Sequence, residues 1–128
     1  MKKIIHTQNA PAAIGPYSQA TAYQNLIFCS GQLPLHPGTM EMMGTTAADQ
    51  TKQVMENLKA VLEAAGSNLE KALKCTIFVK DLNDFASINE VYGSYFPENP
   101  PARATVEVSR LPKDALVEIE CVAYLNDQ

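Results

Sequence analysis

Two short runs of consecutive apolar residues limit the fold of this chain more than any other feature. They are Leu26-Ile27-Phe28 and Ile77-Phe78-Val79, and each lies in a segment typical of a strand. Neighbouring residues in a strand point to opposite faces of the sheet, so both faces of the predicted sheet need apolar cover. The chain has only two helix-like segments, which can cover one face. We therefore expect another subunit to cover the second face.

Helical periodicity is confined to two segments. The first begins near Thr46 and ends before Gly66, because Thr46 and Asp49 resemble a capping box and Gly66 suits a left-handed C-terminal cap. Its predicted apolar face contains Val54, Leu58, Val61, Leu62 and Ala65. The second helix is predicted to begin after Asp81 or Asn83 and to stop at Pro97. Its apolar side contains Phe85, Ile88, Tyr92, Tyr95 and Phe96.

The remaining apolar segments are typical of strands, and Gln24-Asn25 fits a hairpin turn between two of them. The predicted strands are Lys3–His6, Tyr17–Tyr23, Leu26–Ser30, Leu73–Val79, Ala104–Val108 and Val117–Leu125. Single strands that alternate with helices predict an α/β (α+β) fold, a mixed sheet with two helices packed on one face. The length of 128 residues predicts one domain over residues 1–128.

Charge and hydropathy argue against two classes of partner. The formal net charge is −4 and the cations are scattered, whereas binding to nucleic acid requires clustered Lys and Arg. A nucleic-acid partner is therefore not expected. No stretch approaches the length of a membrane span, and the apolar run after Lys2-Lys3 ends too early for a signal peptide. We expect a cytoplasmic protein with no membrane partner.

Cys29, Cys75 and Cys121 are odd in number, far apart and each in an apolar run. This pattern favours buried free thiols in a reducing compartment. Neither the cysteines nor His6 and His36 have a partner at metal-ligand spacing. The chain also has no phosphate-binding loop and no dinucleotide fingerprint. We predict no metal and no organic cofactor.

Arg103 is the strongest candidate for ligand binding. It follows Pro100-Pro101, which stiffen the backbone, and it stands at the entry to a predicted strand. A guanidinium group presents a planar fork that matches a carboxylate with two hydrogen bonds. The residues alone also permit a solvated surface arginine, which would have no role in binding.

Three further segments carry candidate site residues. Tyr17 follows a turn and either contributes its hydroxyl group to a site or packs. Gly31, in Ser30-Gly31-Gln32, either allows close approach of a ligand to the backbone or ends a strand. Glu118 shares a strand face with Glu120, opposite an apolar face. This pair is either exposed to solvent or provides a general base that orients water.

These segments, taken together, resemble the Rid family of reactive intermediate deaminases, also called YjgF-like or L-PSP proteins. The resemblance extends in order over nearly the whole chain. It includes Asn9–Ala20, Ser30–Pro34, Asn57-Leu58 with Ala65-Gly66, Pro101-Ala102-Arg103, Val106–Val108, Leu111-Pro112 and Val117–Glu120.

The resemblance implies a chorismate-mutase-like fold that assembles as a trimeric barrel, with sites between subunits. It implies hydrolysis of 2-iminopropanoate and 2-iminobutanoate, which pyridoxal-phosphate enzymes release, to 2-oxo acids and ammonia. Arg103 matches the carboxylate-binding arginine, and Glu118 is the candidate for orienting water. The other matching pocket positions are Tyr17, Ser30, Gly31, Asn89 and Thr105. Many relatives have cysteine where this chain has Thr105, so a thiol cannot act there.

Two other functions remain open from the sequence. The first is a small-molecule sensor that binds in the same cleft without catalysis. The second is a ribonuclease or translation inhibitor, a role also attached to this family, although the net charge of −4 and the absence of a basic patch count against it.

Overall fold

The computed structural model describes residues 1–126 and contains six strands and two α-helices. In chain order these are β1 (Lys3–Ile5), β2 (Ala20–Tyr23), β3 (Leu26–Gln32), α1 (Ala47–Ala64), β4 (Ala72–Val79), α2 (Phe85–Ser94), β5 (Ala102–Glu107) and β6 (Val117–Tyr124). The prediction of one domain over residues 1–128 includes two residues outside the described range. No helix among the described residues has the length and apolar character needed to cross a membrane.

The strands form one mixed sheet in the order β1-β2-β3-β6-β4-β5. All neighbouring pairs are antiparallel except β4 and β5, which are parallel. Parallel neighbours need a crossover connection, and α2 lies in the segment that joins β4 to β5. The mixed α+β architecture predicted from the sequence is confirmed.

Local signals place α1 where the sequence predicts it. The Thr46 side chain accepts a hydrogen bond from the backbone N–H of Asp49 at 3.1 Å, which caps the N-terminus. Gly66 follows the helix with a φ of +88°, the left-handed conformation that glycine adopts at little cost. Four of the five residues of the predicted apolar face are buried, with Val54, Leu58 and Val61 fully inaccessible to solvent, and Ala65 is partly buried.

The strand boundaries differ from the prediction by one to three residues, and two of these differences have a visible cause. The strand predicted to start at Tyr17 starts at Ala20, because the backbone N–H of Tyr17 bonds to Gly15 O in a turn. The strand predicted to end at Ser30 continues to Gln32 after a bulge. A bulge inserts a residue on one strand while the ladder continues, so a pattern of alternation does not reveal it.

The two faces of the sheet differ in cover. The helices and the face they pack on form the core, which contains Ile27, Ile77 and Ile119. The other face, which we call the open face, presents apolar side chains to solvent. Phe28 is 47% exposed and Val106 is 42% exposed. A second apolar face without helices is the arrangement that the sequence predicts.

The three cysteines are buried and free, as predicted. They lie side by side on the core face, since Cys121 on β6 pairs with Cys29 on β3 and with Cys75 on β4. The same row continues to Arg103, which pairs with Cys75. The thiols therefore belong to the core beneath the helices.

Candidate functional site

Arg103 lies on the edge strand β5 and points to the side of the sheet where the helices pack. Its Cα partner on β4 is Cys75, which is fully buried in the core. Partners in register share a face of the sheet, so the Arg103 side chain extends toward α2. The residues Asn99, Pro100 and Pro101 lead into the strand, and Asn99 has a φ of +49°.

The guanidinium group of Arg103 contacts three side chains of α2. Its Nη1 donates a hydrogen bond to Asn89 Oδ1 at 2.6 Å. Its central carbon lies 5.4 Å from the ring centroid of Phe85 and 5.3 Å from that of Tyr92. These three residues and Arg103 form what we call the arginine half-site.

The positive charge of Arg103 has no carboxylate partner in the described part of the chain. Among residues 1–126 the ion pair found is between Arg110 and Asp114, at 2.7 Å. The acceptor that Arg103 does have, Asn89, is neutral. Arg103 is itself exposed, so the charge is available to an anionic ligand.

Thr105 lies on the same face of β5 as Arg103, opposite Ile77 of the core. Its hydroxyl oxygen is buried and has no hydrogen-bond partner among the described residues. The predicted pocket residue therefore stands beside Arg103 in the strand, with its oxygen turned inward.

Glu118 lies on the opposite face of the sheet. Its partner in register on β4 is Phe78, whereas the neighbouring Val117 and Ile119 are buried in the core. On the neighbouring strand, β3 bulges so that Ser30 and Gly31 together oppose Glu120 of β6, which lies two residues from Glu118 on the same face. The bulge brings Gly31 directly against the Glu118 side chain. A Cβ atom on Gly31 would lie 2.8 Å from Glu118 Cδ and collide with its carboxylate.

The environment of Glu118 favours its protonated form. Burial, and then the negative charge of Glu120, raises the pKa of Glu118 above its ordinary value of 4.5. A carboxylate with a raised pKa is a better proton acceptor near neutral pH than an exposed one. No described residue donates a hydrogen bond to this carboxylate, so it is open to a ligand or a water molecule.

Ser30 and Tyr17 lie close to Gly31. Ser30 Oγ donates to Ser18 O at 2.6 Å, and Ser30 N donates to Gln19 O at 2.9 Å. Tyr17 is half exposed, and its ring closes one side of a small recess beside Gly31. Other apolar side chains of the recess include those of Ile14, Leu33, Leu35 and Met40. We call Tyr17, Ser30, Gly31 and Glu118 the glutamate half-site.

Gln19 holds the segment before this half-site in place. Its buried amide accepts from Thr7 N at 2.7 Å and donates to the carbonyl oxygens of Ala10 and Pro11 at 3.3 and 2.8 Å. The sequence analysis did not identify Gln19 as a residue that supports the site. A glutamine within a predicted strand, Tyr17–Tyr23, is a signal that could have found it, because buried amides are normally fully bonded.

The structure therefore groups the predicted residues into two sets. Asn89 and Thr105 lie with Arg103, and Tyr17, Ser30 and Gly31 lie with Glu118. Within one chain, Arg103 and Glu118 are on opposite faces of the sheet. The sequence reading assigned Phe85 and Tyr92 to the apolar side of the helix and missed their contact with Arg103. Their spacing with Asn89, at i, i+4 and i+7, marks one helix face and was the available signal.

The chain is similar along its length to proteins of known family. Residues 7–125 match the family described as Endoribonuclease L-PSP. A RutC family protein of Pyrococcus horikoshii is 56% identical over 97% of this chain and 98% of its own length. A 2-iminobutanoate/2-iminopropanoate deaminase of Escherichia coli is 51% identical over 96% of this chain and 98% of its own. The crystal structure of Escherichia coli TdcF with bound serine superposes with a TM-score of 0.93 at 46% identity, covering 97% of this chain and 99% of that one.

Proposed function

The chain belongs to the L-PSP family, which includes the Rid proteins, and from this premise we propose that it is a hydrolase of C=N bonds in reactive 2-imino acids. The proposed substrates are 2-iminopropanoate and 2-iminobutanoate, and the products are 2-oxo acids and ammonia. We further propose that it acts in the cytoplasm, where pyridoxal-phosphate enzymes release these imines.

The observation that carries the proposal is the exposed guanidinium group of Arg103 without a carboxylate partner among residues 1–126. It is fixed on one side by Asn89 and by two aromatic rings. A cation held in this way binds a carboxylate strongly, since two charge-assisted hydrogen bonds can form at once. Every 2-imino acid has such a carboxylate next to the reacting carbon.

A second copy of the chain would complete the site. Arg103 and Glu118 lie on opposite faces of one sheet, so a substrate bound to Arg103 of one subunit needs the glutamate half-site of a neighbour. The apolar residues of the open face, among them Leu26 and Phe28, supply a surface that association would bury. We propose a homotrimer of chorismate-mutase-like subunits with sites at the subunit boundaries.

Light scattering at micromolar concentration tests this assembly. The expected mass is three times that of the 14.0 kDa chain. A mass equal to one chain would contradict both the trimer and a site shared between subunits. Replacement of Phe28 by Glu on the open face should dissociate the assembly and abolish activity together, because a charged side chain cannot be buried there unpaired.

Hydrolysis of a protonated imine requires mainly that the protein hold the substrate and a water molecule in the right positions. A protonated imine carbon is electrophilic, so an oriented water molecule can add to it without a strong nucleophile. As the water oxygen bonds to the imine carbon, the water gives up a proton and the C=N bond becomes a single bond to an amine. The proton returns to the amine nitrogen, the C–N bond breaks, and ammonia leaves as the hydroxyl group loses its proton and the C=O bond forms. Glu118 is proposed to orient the water and accept its proton, for which its raised pKa is suited. No cofactor is required in this scheme.

The recess beside Gly31 suits a short alkyl group. Most of its lining side chains, among them Ile14, Leu33 and Met40, are apolar, and Tyr17 forms part of its wall. The methyl or ethyl group of the proposed substrates would be buried there, with a gain of about 0.8 kcal/mol for each CH₂. This supports small aliphatic imino acids over charged ones.

A coupled assay tests the function directly. A threonine dehydratase generates 2-iminobutanoate in place, and release of 2-oxobutanoate is followed with and without this protein. Faster release that disappears with Arg103→Ala supports the deaminase. Binding of 2-oxobutanoate without any faster release would instead support the small-molecule sensor.

The ribonuclease reading has the family description in its favour. The net charge of −4 argues against it, because RNA binding depends on neutralising phosphates. RNA cleavage by purified protein that is lost in Arg103→Ala would favour a nuclease. Cleavage that survives the substitution would indicate a contaminant or a separate site.

A further inference from the structure

Three side chains on one face of α2 surround the guanidinium group of Arg103. Phe85, Asn89 and Tyr92 stand at i, i+4 and i+7, so they line up along the helix beside β5. Both rings lie within 5.4 Å of the central carbon, and Asn89 Oδ1 accepts from Nη1 at 2.6 Å. We call these three residues the α2 cradle.

The cradle uses little of the hydrogen-bonding capacity of the arginine. A guanidinium group has five N–H donors, and one of them bonds to Asn89 in the described part of the chain. The two rings attract the cation through their faces without using its N–H groups. The cradle thus limits the movement of the group while most of its donors remain available.

Packing alone does not account for this arrangement. Tyr92 is 4% exposed and packs against Phe96 in a tilted arrangement with ring centroids 4.9 Å apart, so it does belong to the core. Phe85, however, is 36% exposed, and its ring lies beside a charged group at the surface. A contact between an aromatic face and a cation explains a phenyl ring at a half-exposed position better than burial does.

The acceptor at position 89 is neutral, which matters for an anion site. An aspartate in place of Asn89 would have nearly the same shape and would place a carboxylate against Nη1. The arginine would then be paired within its own chain, and an incoming carboxylate would have to compete with a permanent partner. An amide orients the group without cancelling its charge.

We propose that Phe85, Asn89 and Tyr92 are positioning residues that fix the orientation of Arg103, and that the neutrality of Asn89 keeps this arginine specific for carboxylate ligands. The inference rests on the proposed function for the identity of the carboxylate. It adds that affinity for the acid end of the substrate depends on α2 as well as on Arg103. Fixing a flexible side chain before binding reduces the entropy lost when the ligand arrives.

The test compares matched variants in the full-length protein. Asn89→Asp changes charge and little else, and Phe85→Leu removes the ring and keeps an apolar side chain. Phe85→Tyr is the conservative variant that keeps the ring. Tyr95→Leu is the control, because Tyr95 is the aromatic C-cap residue of α2 and its hydroxyl group bonds to Glu56 rather than to the arginine. Each is measured for imine turnover, for 2-oxobutanoate binding by calorimetry and for melting temperature.

We expect Asn89→Asp to raise KM and the Kd for 2-oxobutanoate by about tenfold or more, with a melting temperature equal to or above that of the wild type. Phe85→Leu should weaken binding by about three- to tenfold and change kcat less than KM, since a partly desolvated cation–π contact is of that strength. Phe85→Tyr should recover most of the affinity that Phe85→Leu loses. A residue that only supported the fold would lower the melting temperature without this division between KM and kcat.

Two results would contradict the proposal that the α2 cradle positions Arg103. One is an Asn89→Asp variant that binds 2-oxobutanoate within about twofold of the wild type, while Arg103→Ala has lost binding. The other is an equal loss of affinity in Phe85→Leu and Tyr95→Leu. In both cases the proposed function stands, because turnover by the wild type is unaffected. If the wild type does not accelerate imine hydrolysis, the proposed function fails. The positioning role of the α2 cradle is then tested only by comparing 2-oxobutanoate binding between the wild type and the variants.

Discussion

The arginine half-site and the glutamate half-site are held in place by different kinds of structure. Arg103 stands on a regular strand and is oriented by side chains of a regular helix, through one hydrogen bond and two ring contacts. Glu118 also stands on a regular strand, but its surroundings are set by a backbone irregularity, the bulge at Ser30 and Gly31. The arginine half-site depends on the side chains that contact Arg103. The glutamate half-site depends on Gly31 having no side chain.

This difference predicts how each half-site fails. The exposed residues of the arginine half-site, Phe85, Asn89 and Arg103, should tolerate substitution without loss of fold, whereas Tyr92 also belongs to the core. The glutamate half-site should be sensitive to added volume, because Gly31 leaves no room for a side chain. The following predictions test these two kinds of sensitivity, beginning with the largest expected effect.

Arg103→Ala should lower kcat/KM by about a hundredfold or more, since two charge-assisted hydrogen bonds to the substrate are lost. Arg103→Lys should recover only part of this, because an ammonium group offers a point charge in place of a planar fork. The melting temperature should change little. Activity is measured on 2-iminobutanoate that a threonine dehydratase generates in situ. A folded, trimeric alanine variant within a few-fold of wild-type activity would show that Arg103 is not the carboxylate anchor.

Glu118→Gln should lower kcat by about tenfold to a hundredfold with a smaller effect on KM, because the proton acceptor is lost while the shape is kept. The effect is expected to be below that of Arg103→Ala, since a protonated imine reacts readily with water. A KM effect that exceeds the kcat effect would show that Glu118 binds the substrate and does not activate water.

The same variant should be slightly more stable than the wild type at neutral pH. Since the pKa of Glu118 is raised in the folded state, folding is favoured when the group is protonated and is penalised once pH exceeds the folded pKa. The stability gained from glutamine should therefore be present at neutral pH and should disappear as pH falls toward 4.5, the ordinary value of the group. Melting curves of both proteins across this range check the sign. A gain that grows at low pH would show that the pKa is not raised.

Gly31→Ala should lower kcat/KM by about tenfold, because the added Cβ must displace the Glu118 carboxylate from its place over the bulge. Gly93→Ala in α2 is the matched control, since among residues 1–126 no atom beyond its neighbours in the helix lies within 4 Å of its Cβ position. That control should keep its activity and gain a little stability, as alanine favours a helix by about 1 kcal/mol over glycine. Equal activity in both alanine variants would show that the bulge does not control the placement of Glu118.

The elements with local signals could be predicted from the sequence, and the relation between the half-sites could not. The cap at Thr46 and the turn at Gly66 need only neighbouring residues, so α1 was placed nearly to the residue. The face on which Arg103 lies depends on its register with Cys75, which is distant in the chain. The bulge at Gly31 depends on pairing with β6 in the same way. The alternation of apolar and polar residues shows which residues of one strand share a face. It does not show which of these faces lie on the same side of the sheet in different strands.

Alkylation of the thiols should have the smallest effect of all, because neither half-site contains a cysteine. Cys29, Cys75 and Cys121 are buried in the core, and the pKa of Cys75 is raised above its usual range by its neighbour Cys121 and by burial. A thiol in this state has little thiolate and reacts slowly. Position 105, on the same face of β5 as Arg103, is threonine in this chain. Iodoacetamide treatment of the native protein should therefore leave turnover within about twofold of the untreated protein.

The control is the same treatment after denaturation, which should modify all three thiols. Rapid inactivation of the native protein that 2-oxobutanoate protects against would place a reactive thiol at the site. It would also show that the core row of cysteines, which ends at Arg103, opens to solvent during turnover.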